Sequence, residues 1–337
     1  MRRPPTSRCI SFSLSTLVLL SCALPLDAQQ GEGGAEGGAT EGGIFLLLPV
    51  GARAVALGRA MTSLSGSESV FWNPAGLADL SGARMVLDRG NYVAGDAISA
   101  SGLLSEDALG TVGVTYHLLD VGEQDLTDEQ GNVLGTISVR NHLGVFSAAT
   151  KIWDRLNVGF NFKVVQFRQS CRGQCLNAGV TATTYAVDAG VQWIGVAGLP
   201  LRLGAMVAQA GPRFQVRNEE QADPLPTRMR ASASYEITGN LVSDEQLSLV
   251  LAAEVEERWR DPGTPAIYLG SEFGAGVEDA VLLVRAGYVR GNGEQVDGAA
   301  VGVGIRYTRF DLSIAKSLAS NIADVAEPVH VTFGLVF

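Results

Sequence analysis

From about residue 83 to the C-terminus, apolar side chains recur at every second position. Val112, Val114, Tyr116 and Leu118 alternate with Thr111, Gly113, Thr115 and His117. Val158, Phe160, Phe162 and Val164 alternate with Asn157, Gly159, Asn161 and Lys163, and Val301, Val303, Ile305 and Tyr307 with Gly302, Gly304, Arg306 and Thr308. Successive side chains of a strand point to opposite faces, so one face is apolar and the other carries glycine, hydroxyl or charge. That is the dyad of a strand with lipid on one side and a polar lumen on the other. The inward faces, mostly Gly, Thr, Asn, Arg and Lys, predict a polar lumen. Fourteen such segments are predicted: 83–91, 94–104, 109–119, 139–152, 155–169, 181–194, 200–210, 227–238, 246–258, 265–275, 280–290, 298–307, 309–317 and 328–337.

The connections support the same fold class. From the second turn onward they alternate short (105–108, 153–154, 195–199, 239–245, 276–279, 308) with a long set that includes 120–138, 170–180, 211–226 and 318–327. Short periplasmic turns and longer extracellular loops belong to an all-β transmembrane outer-membrane β-barrel of about 14 antiparallel strands, with both termini periplasmic when the strand number is even. A soluble β-sandwich has no reason to place every long loop at one end. The last strand carries Phe333, Leu335 and Phe337 on its apolar face, the closing pattern that barrel-assembly machinery reads as a C-terminal assembly signal.

Before residue 83 the patterning is different. Residues 1–28 read as a signal peptide, with a basic start (Arg2, Arg3, Arg8), an apolar stretch from Ile10 to Leu26 and a small residue, Ala28. Ser11, Ser13, Ser15, Ser21 and Pro25 interrupt that stretch and weaken a membrane-anchor reading. Leu19-Leu20-Ser21-Cys22 loosely resembles a lipoprotein processing box, with Leu20 an atypical residue in it. Residues 29–43 are a Gly-rich flexible linker, and 44–82 form a compact segment without alternation. No later window offers the ~20 apolar residues of a spanning helix, although mean hydropathy is +0.18.

Charge and motif content narrow the function. The formal net charge is −10, and loss of Arg2, Arg3, Arg8 and Asp27 with the signal leaves −12. That balance excludes nucleic acid as a partner. Two cysteines leave with the signal, and Cys171 and Cys175 are expected to form a disulfide in an extracellular loop between the fifth and sixth strands; zinc would need further ligands nearby. His117, His142 and His330 lie on three strands and read as lumen-facing polar residues. Glu254, Glu256 and Glu257 read as a solvated rim, and Trp153, Trp193 and Trp259 as interface anchors near strand ends. There is no Gly-x-Ser-x-Gly and no His-Glu-x-x-His. The chain is therefore expected to be no enzyme and to hold no cofactor or metal.

Two N-terminal runs carry a family resemblance. Leu48-Pro49-Val50-Gly51-Ala52-Arg53-Ala54-Val55-Ala56-Leu57-Gly58, followed by Phe71-Trp72-Asn73-Pro74-Ala75-Gly76-Leu77-Ala78, resembles the N-terminal signature of the PorV/PorQ family, within the FadL-like group of outer-membrane proteins. The likeness continues more weakly along the strands, as at Leu225-Pro226-Thr227-Arg228. It departs at Arg59, where a glycine is expected, and at Gly66-Ser67-Glu68-Ser69, which lacks an acidic pair. The resemblance implies a 14-stranded barrel whose lumen is filled by residues 44–82 as a plug. Arg53, Trp72, Asn73, Pro74, Ala75 and Gly76 would be its motif residues, with Arg53 facing lumen carboxylates. It implies a non-catalytic role in protein secretion of the type IX kind, with secretion components or exported cargo as partners. The alternative is a FadL-like channel for hydrophobic small molecules. Either way the chain would sit in the lipid of the outer membrane, N-terminus in the periplasm.

Overall fold

The structure, a computed structural model, describes residues 41–106, 108–175, 179–216, 222–238, 247–277, 279–291, 297–318 and 328–337. The expected signal peptide, Cys22, most of the linker and the placement of the N-terminus fall outside these residues.

Fourteen antiparallel strands close into one barrel in sequence order, with β1 (Gly82–Tyr92) hydrogen-bonded to β14 (Val329–Val336). Between them run β2 (Gly95–Glu106), β3 (Gly110–Thr127), β4 (Val133–Trp153), β5 (Leu156–Gly173), β6 (Gly179–Ile194) and β7 (Leu201–Ala210). The circuit continues with β8 (Arg228–Thr238), β9 (Leu247–Arg258), β10 (Ala266–Val277), β11 (Ala280–Arg290), β12 (Gly298–Tyr307) and β13 (Phe310–Ser317). Closure leaves no unpaired edge, which a sheet in hydrocarbon requires. The outer face is apolar: Val114 is 65%, Val303 57% and Phe146 51% exposed on an otherwise packed wall. All fourteen predicted segments are strands.

Two departures concern length and direction. Strands β3, β4 and β5 run for 18, 21 and 18 residues, whereas β7 to β14 run for 8 to 12. The expected loop 120–138 is mostly strand. Its polar residues Glu123, Gln124 and Asp125 pair with Ser138, Ile137 and Thr136 beyond a bulge at Asp120/Gly122, so the ladder outlasts the apolar alternation and rises clear of the barrel. Cys171 lies on β5 and Cys175 in the following turn, joined as a disulfide with Cα atoms 6.2 Å apart. His117 and His330 are buried and point inward, but His142 points outward and its Nδ1 lies 2.7 Å from the Tyr116 hydroxyl. Two residues separate in-facing from in-facing, and 142 has the parity of the outer face on β4.

Inside the barrel, residues 41–81 descend from the long-loop end to the short-turn end. Glu41 is bound by Arg228 at the top of β8, and Gly82 opens β1 at the opposite rim. The segment is built of 3₁₀ turns at Ile44–Leu47, Ser67–Val70 and Pro74–Asp79, and a short helix α1 (Ala52–Ala56). It has too few residues per element for regular packing, and side chains satisfy its backbone instead. Glycines on the wall let that backbone touch the strands directly. A Cβ at Gly190 would overlap Asn73 Oδ1, and one at Gly287 would overlap the Gly58 backbone nitrogen.

Candidate functional site

The plug is held by hydrogen bonds from almost every direction. The Ala52 amide donates to Thr332 of β14 at 2.8 Å, and Arg53 forms a bidentate pair with Glu272 of β10 at 2.9 Å through Nε and Nη2. The Thr62 amide and hydroxyl both donate to Glu254 of β9 at 2.8 Å, Ser63 meets Ser232 of β8, and Asn161 of β5 donates to the Val70 carbonyl. Thr111 of β3 donates to the Leu77 carbonyl. The glutamates at 254 and 256 are thus no solvated rim. Both are buried, Glu256 pairing with Arg230, while Glu257 alone has the outward parity. Strand periodicity puts 254 and 256 on one face, and that face is the lumen.

The motif residues explain themselves locally. Asn73 is fully buried and caps the turn that follows, accepting from the Ala75 amide, with Pro74 at the first helical position. Its Nδ2 donates to the Thr62 and Val191 carbonyls at 2.7 and 3.2 Å, tying two turns of the plug to each other and to the β6 wall. Gly76 is forced by contact: a Cβ there would press on Ser69 Oγ and the Leu64 carbonyl. Trp72 donates to the Val50 carbonyl and lies under the Arg230 guanidinium, 5.0 Å from its ring centroid. Arg59, where glycine is expected, has φ 72°, the left-handed region that glycine enters most readily. Cys171 and Cys175 lie far from this constellation on the projecting hairpin, and Phe333, Leu335 and Phe337 face outward on the closing strand.

Glu68 was not singled out by the sequence, yet both its oxygens cap α1, accepting from the Arg53 and Ala54 amides at 3.1 and 2.8 Å. Lys163 and Asp188 form a buried pair at 2.7 Å. A charge at an inward strand position is the signal that marks them. At the short-turn end Asp79 meets Arg202 and Lys151. Burial alone would raise its carboxyl, but hydrogen bonds from Ser65, Arg202 and Asn157 with the Arg202 charge hold it well below the usual carboxylate range.

The lumen is not uniformly polar. Above the plug's wall contacts, on the β3 to β6 side, Leu119, Leu143, Val145, Val165, Ala182 and Ala186 point inward. They pack with Phe45 of the plug and with Phe214 and Leu225 from the chain between β7 and β8. A cavity of about 20 Å³ remains between Phe45–Leu48, Leu143 and Phe71, with His117, Lys163 and Arg230 at its floor. His117 Nδ1 has no hydrogen-bond partner among the described residues. Beside this cluster the wall is irregular. β6 and β7 pair only from Val187↔Ala210 downward, with a register shift between Val187 and Ala189 where Gln209 has φ 60°. Gln209 donates to the Leu46 carbonyl at 2.8 Å and its amide to Asp188, so the irregular seam and the top of the plug share one residue.

No family model matches the chain, and no curated protein matches it. Solved structures do. The CymD monoaromatic hydrocarbon channel aligns with TM-score 0.58 at 12% identity, over 86% of this chain and 97% of that one. The Ralstonia pickettii toluene transporter TbuX aligns with TM-score 0.55 at 13% identity, over 85% and 98%. A Pseudomonas aeruginosa FadL homologue aligns with TM-score 0.50 at 11% identity, over 86% and 98%. The fold is that of the FadL-type outer-membrane barrels.

Proposed function

We propose that this protein is a non-catalytic outer-membrane channel that admits hydrophobic small molecules from the long-loop side. The observation that supports the reading most is the apolar upper lumen of Leu119, Leu143, Val145 and Val165 closed by Phe45. An ion crossing such a lining would shed hydration without replacement, whereas an apolar solute gains ~25 cal/mol per Å² buried. The structural neighbours named as toluene and monoaromatic hydrocarbon carriers have the same barrel type. The plug blocks the axis by direct backbone contact with the wall, so we infer a sideways exit at the β6–β7 seam. Displacement of Ile44–Leu47 by a ligand would release Gln209 from the Leu46 carbonyl and free that seam.

Uptake of radiolabelled toluene and dodecanoate by cells expressing the protein tests this. Leu143→Glu with Val165→Glu should reduce protein-dependent uptake at least tenfold while heat-modifiable gel migration stays that of a closed barrel. Equal uptake by the double variant, or none by the parent, overturns the channel reading.

The second reading, a PorV/PorQ-type partner in protein secretion with exported cargo, draws on the motif residues and on one feature of shape. Strand β3 runs seven residues, about 23 Å at ~3.3 Å each, beyond its last β2 partner, with β4 paired to it over that length. Co-purification of secreted cargo that depends on residues 121–140 would favour it.

A further inference from the structure

A further cavity lies at the other end of the lumen, beneath the plug. It measures about 440 Å³ and opens at the short-turn mouth. Arg53, Arg84, Arg285, Arg306 and Arg309 border it, against Glu68, Asp79 and Asp311, on a chain whose net charge is −10. Most of these charges are committed elsewhere. Arg53 and Arg285 converge on Glu272, Asp79 is taken by Arg202 and Lys151, and the Glu68 oxygens cap α1. Arg306 holds Asp311 at 3.4 Å. Arg84 and Arg309 make no ion pair among the described residues, and Arg84 Nε is shut off from solvent without a hydrogen-bond partner.

The register makes this convergence deliberate in space. Arg84 faces inward near the start of β1 beside Val336 of β14, Arg306 faces inward across from Asp311 of β13, and Arg309 sits in the turn between β12 and β13. Three guanidinium groups thus share one rim, and among them only Arg306 has an ion pair, with Asp311. Like charges at that spacing repel, and planar guanidinium forks match the geometry of an oxyanion. We propose that this mouth is an oxyanion-binding site, with Arg84, Arg306 and Arg309 as its ligands, separate from the apolar wall of Leu119, Leu143, Val145 and Val165 and independent of the channel reading. The chemistry fits a free inorganic phosphate or the carboxylate of a small organic acid.

The test uses the full-length protein in detergent micelles, titrated calorimetrically with phosphate, benzoate or chloride at fixed ionic strength. Saturable binding of phosphate, benzoate or both, and weaker binding of chloride, is expected. Phosphate alone would assign the site to inorganic anions, and benzoate alone to organic acids. Arg84→Gln with Arg309→Gln should weaken oxyanion binding at least tenfold, whereas Arg260→Gln, exposed on the opposite rim, should leave it unchanged. Asp311→Asn, which removes the competing carboxylate, should tighten binding severalfold, a gain that misfolding cannot imitate. Absence of saturable oxyanion binding, retention of affinity in the double arginine variant, or no gain in Asp311→Asn would overturn the proposal.

Discussion

The upper lumen on the β3 to β5 side and the lower lumen on the side of β1 and β10 to β12 have opposite chemistry. Above, Leu119, Leu143, Val145 and Val165 turn hydrocarbon inward; below, Arg84, Glu272, Arg285 and Arg306 turn charge inward. Alternation along a strand decides only in from out. What each inward position carries depends on what the plug presents opposite it: Phe45 and Leu48 towards β3 to β5, polar backbone, Glu41 and Arg53 towards the charged strands. The plug is what makes both linings tolerable, since it closes the apolar half from water and supplies hydrogen bonds to the charged half.

Removing the plug should therefore give the largest effect and break the contrast. Deletion of 41–81 leaves the wall ladder intact, because its hydrogen bonds close between strands. In planar bilayers the parent should be nearly silent and the deletion strongly conducting, at tens of times the parent's open probability or more. Equal conductance would show that the apolar upper half bars ions unaided.

A smaller change sharpens the border between the halves. Gly190→Val places carbon where Asn73 Oδ1 now lies, and Asn73→Ala removes three hydrogen bonds of the plug's central turn. Buried polar partners left unmade cost about 1–3 kcal/mol each. Both variants should show intermittent openings with the barrel still heat-modifiable, Gly190→Val the more frequent. Silence in both would mean that the ring of other wall contacts suffices to seat the plug.

Strand order and the tryptophan positions were legible in the alternation and the loop lengths. Trp153, Trp193 and Trp259 stand exposed near strand ends as expected. Height along the axis was not legible. Glu254 and Glu256 look like a rim because nothing local tells that Thr62 and Arg230, far away in sequence, wait opposite them. Leu143 and Val165 look like ordinary strand residues for the same reason. The extension of β3 and β4 past residue 120 leaves no mark in apolar alternation, because a ladder in water needs no apolar face.

The smallest effect concerns the region outside both halves. Cys171→Ser with Cys175→Ser opens a five-residue loop worth ~2 kcal/mol on the chain-entropy model. It should speed proteolysis of the β5–β6 hairpin and leave toluene uptake and bilayer silence as in the parent. A change in either would tie the projecting sheet to the lumen.

The Glu41–Arg228 pair has a consequence for biogenesis. The segment it anchors runs from one rim of the barrel to the other, and Ala52 and Tyr92 bond it to the very strands, β14 and β1, that form the closing seam. A cylinder already sealed could receive this segment only by drawing the preceding chain lengthwise through its bore. Sealing must come last, with the first and final strands meeting around an interior that is already occupied. The order of events in assembly is thus written into which end of the bore residue 41 occupies.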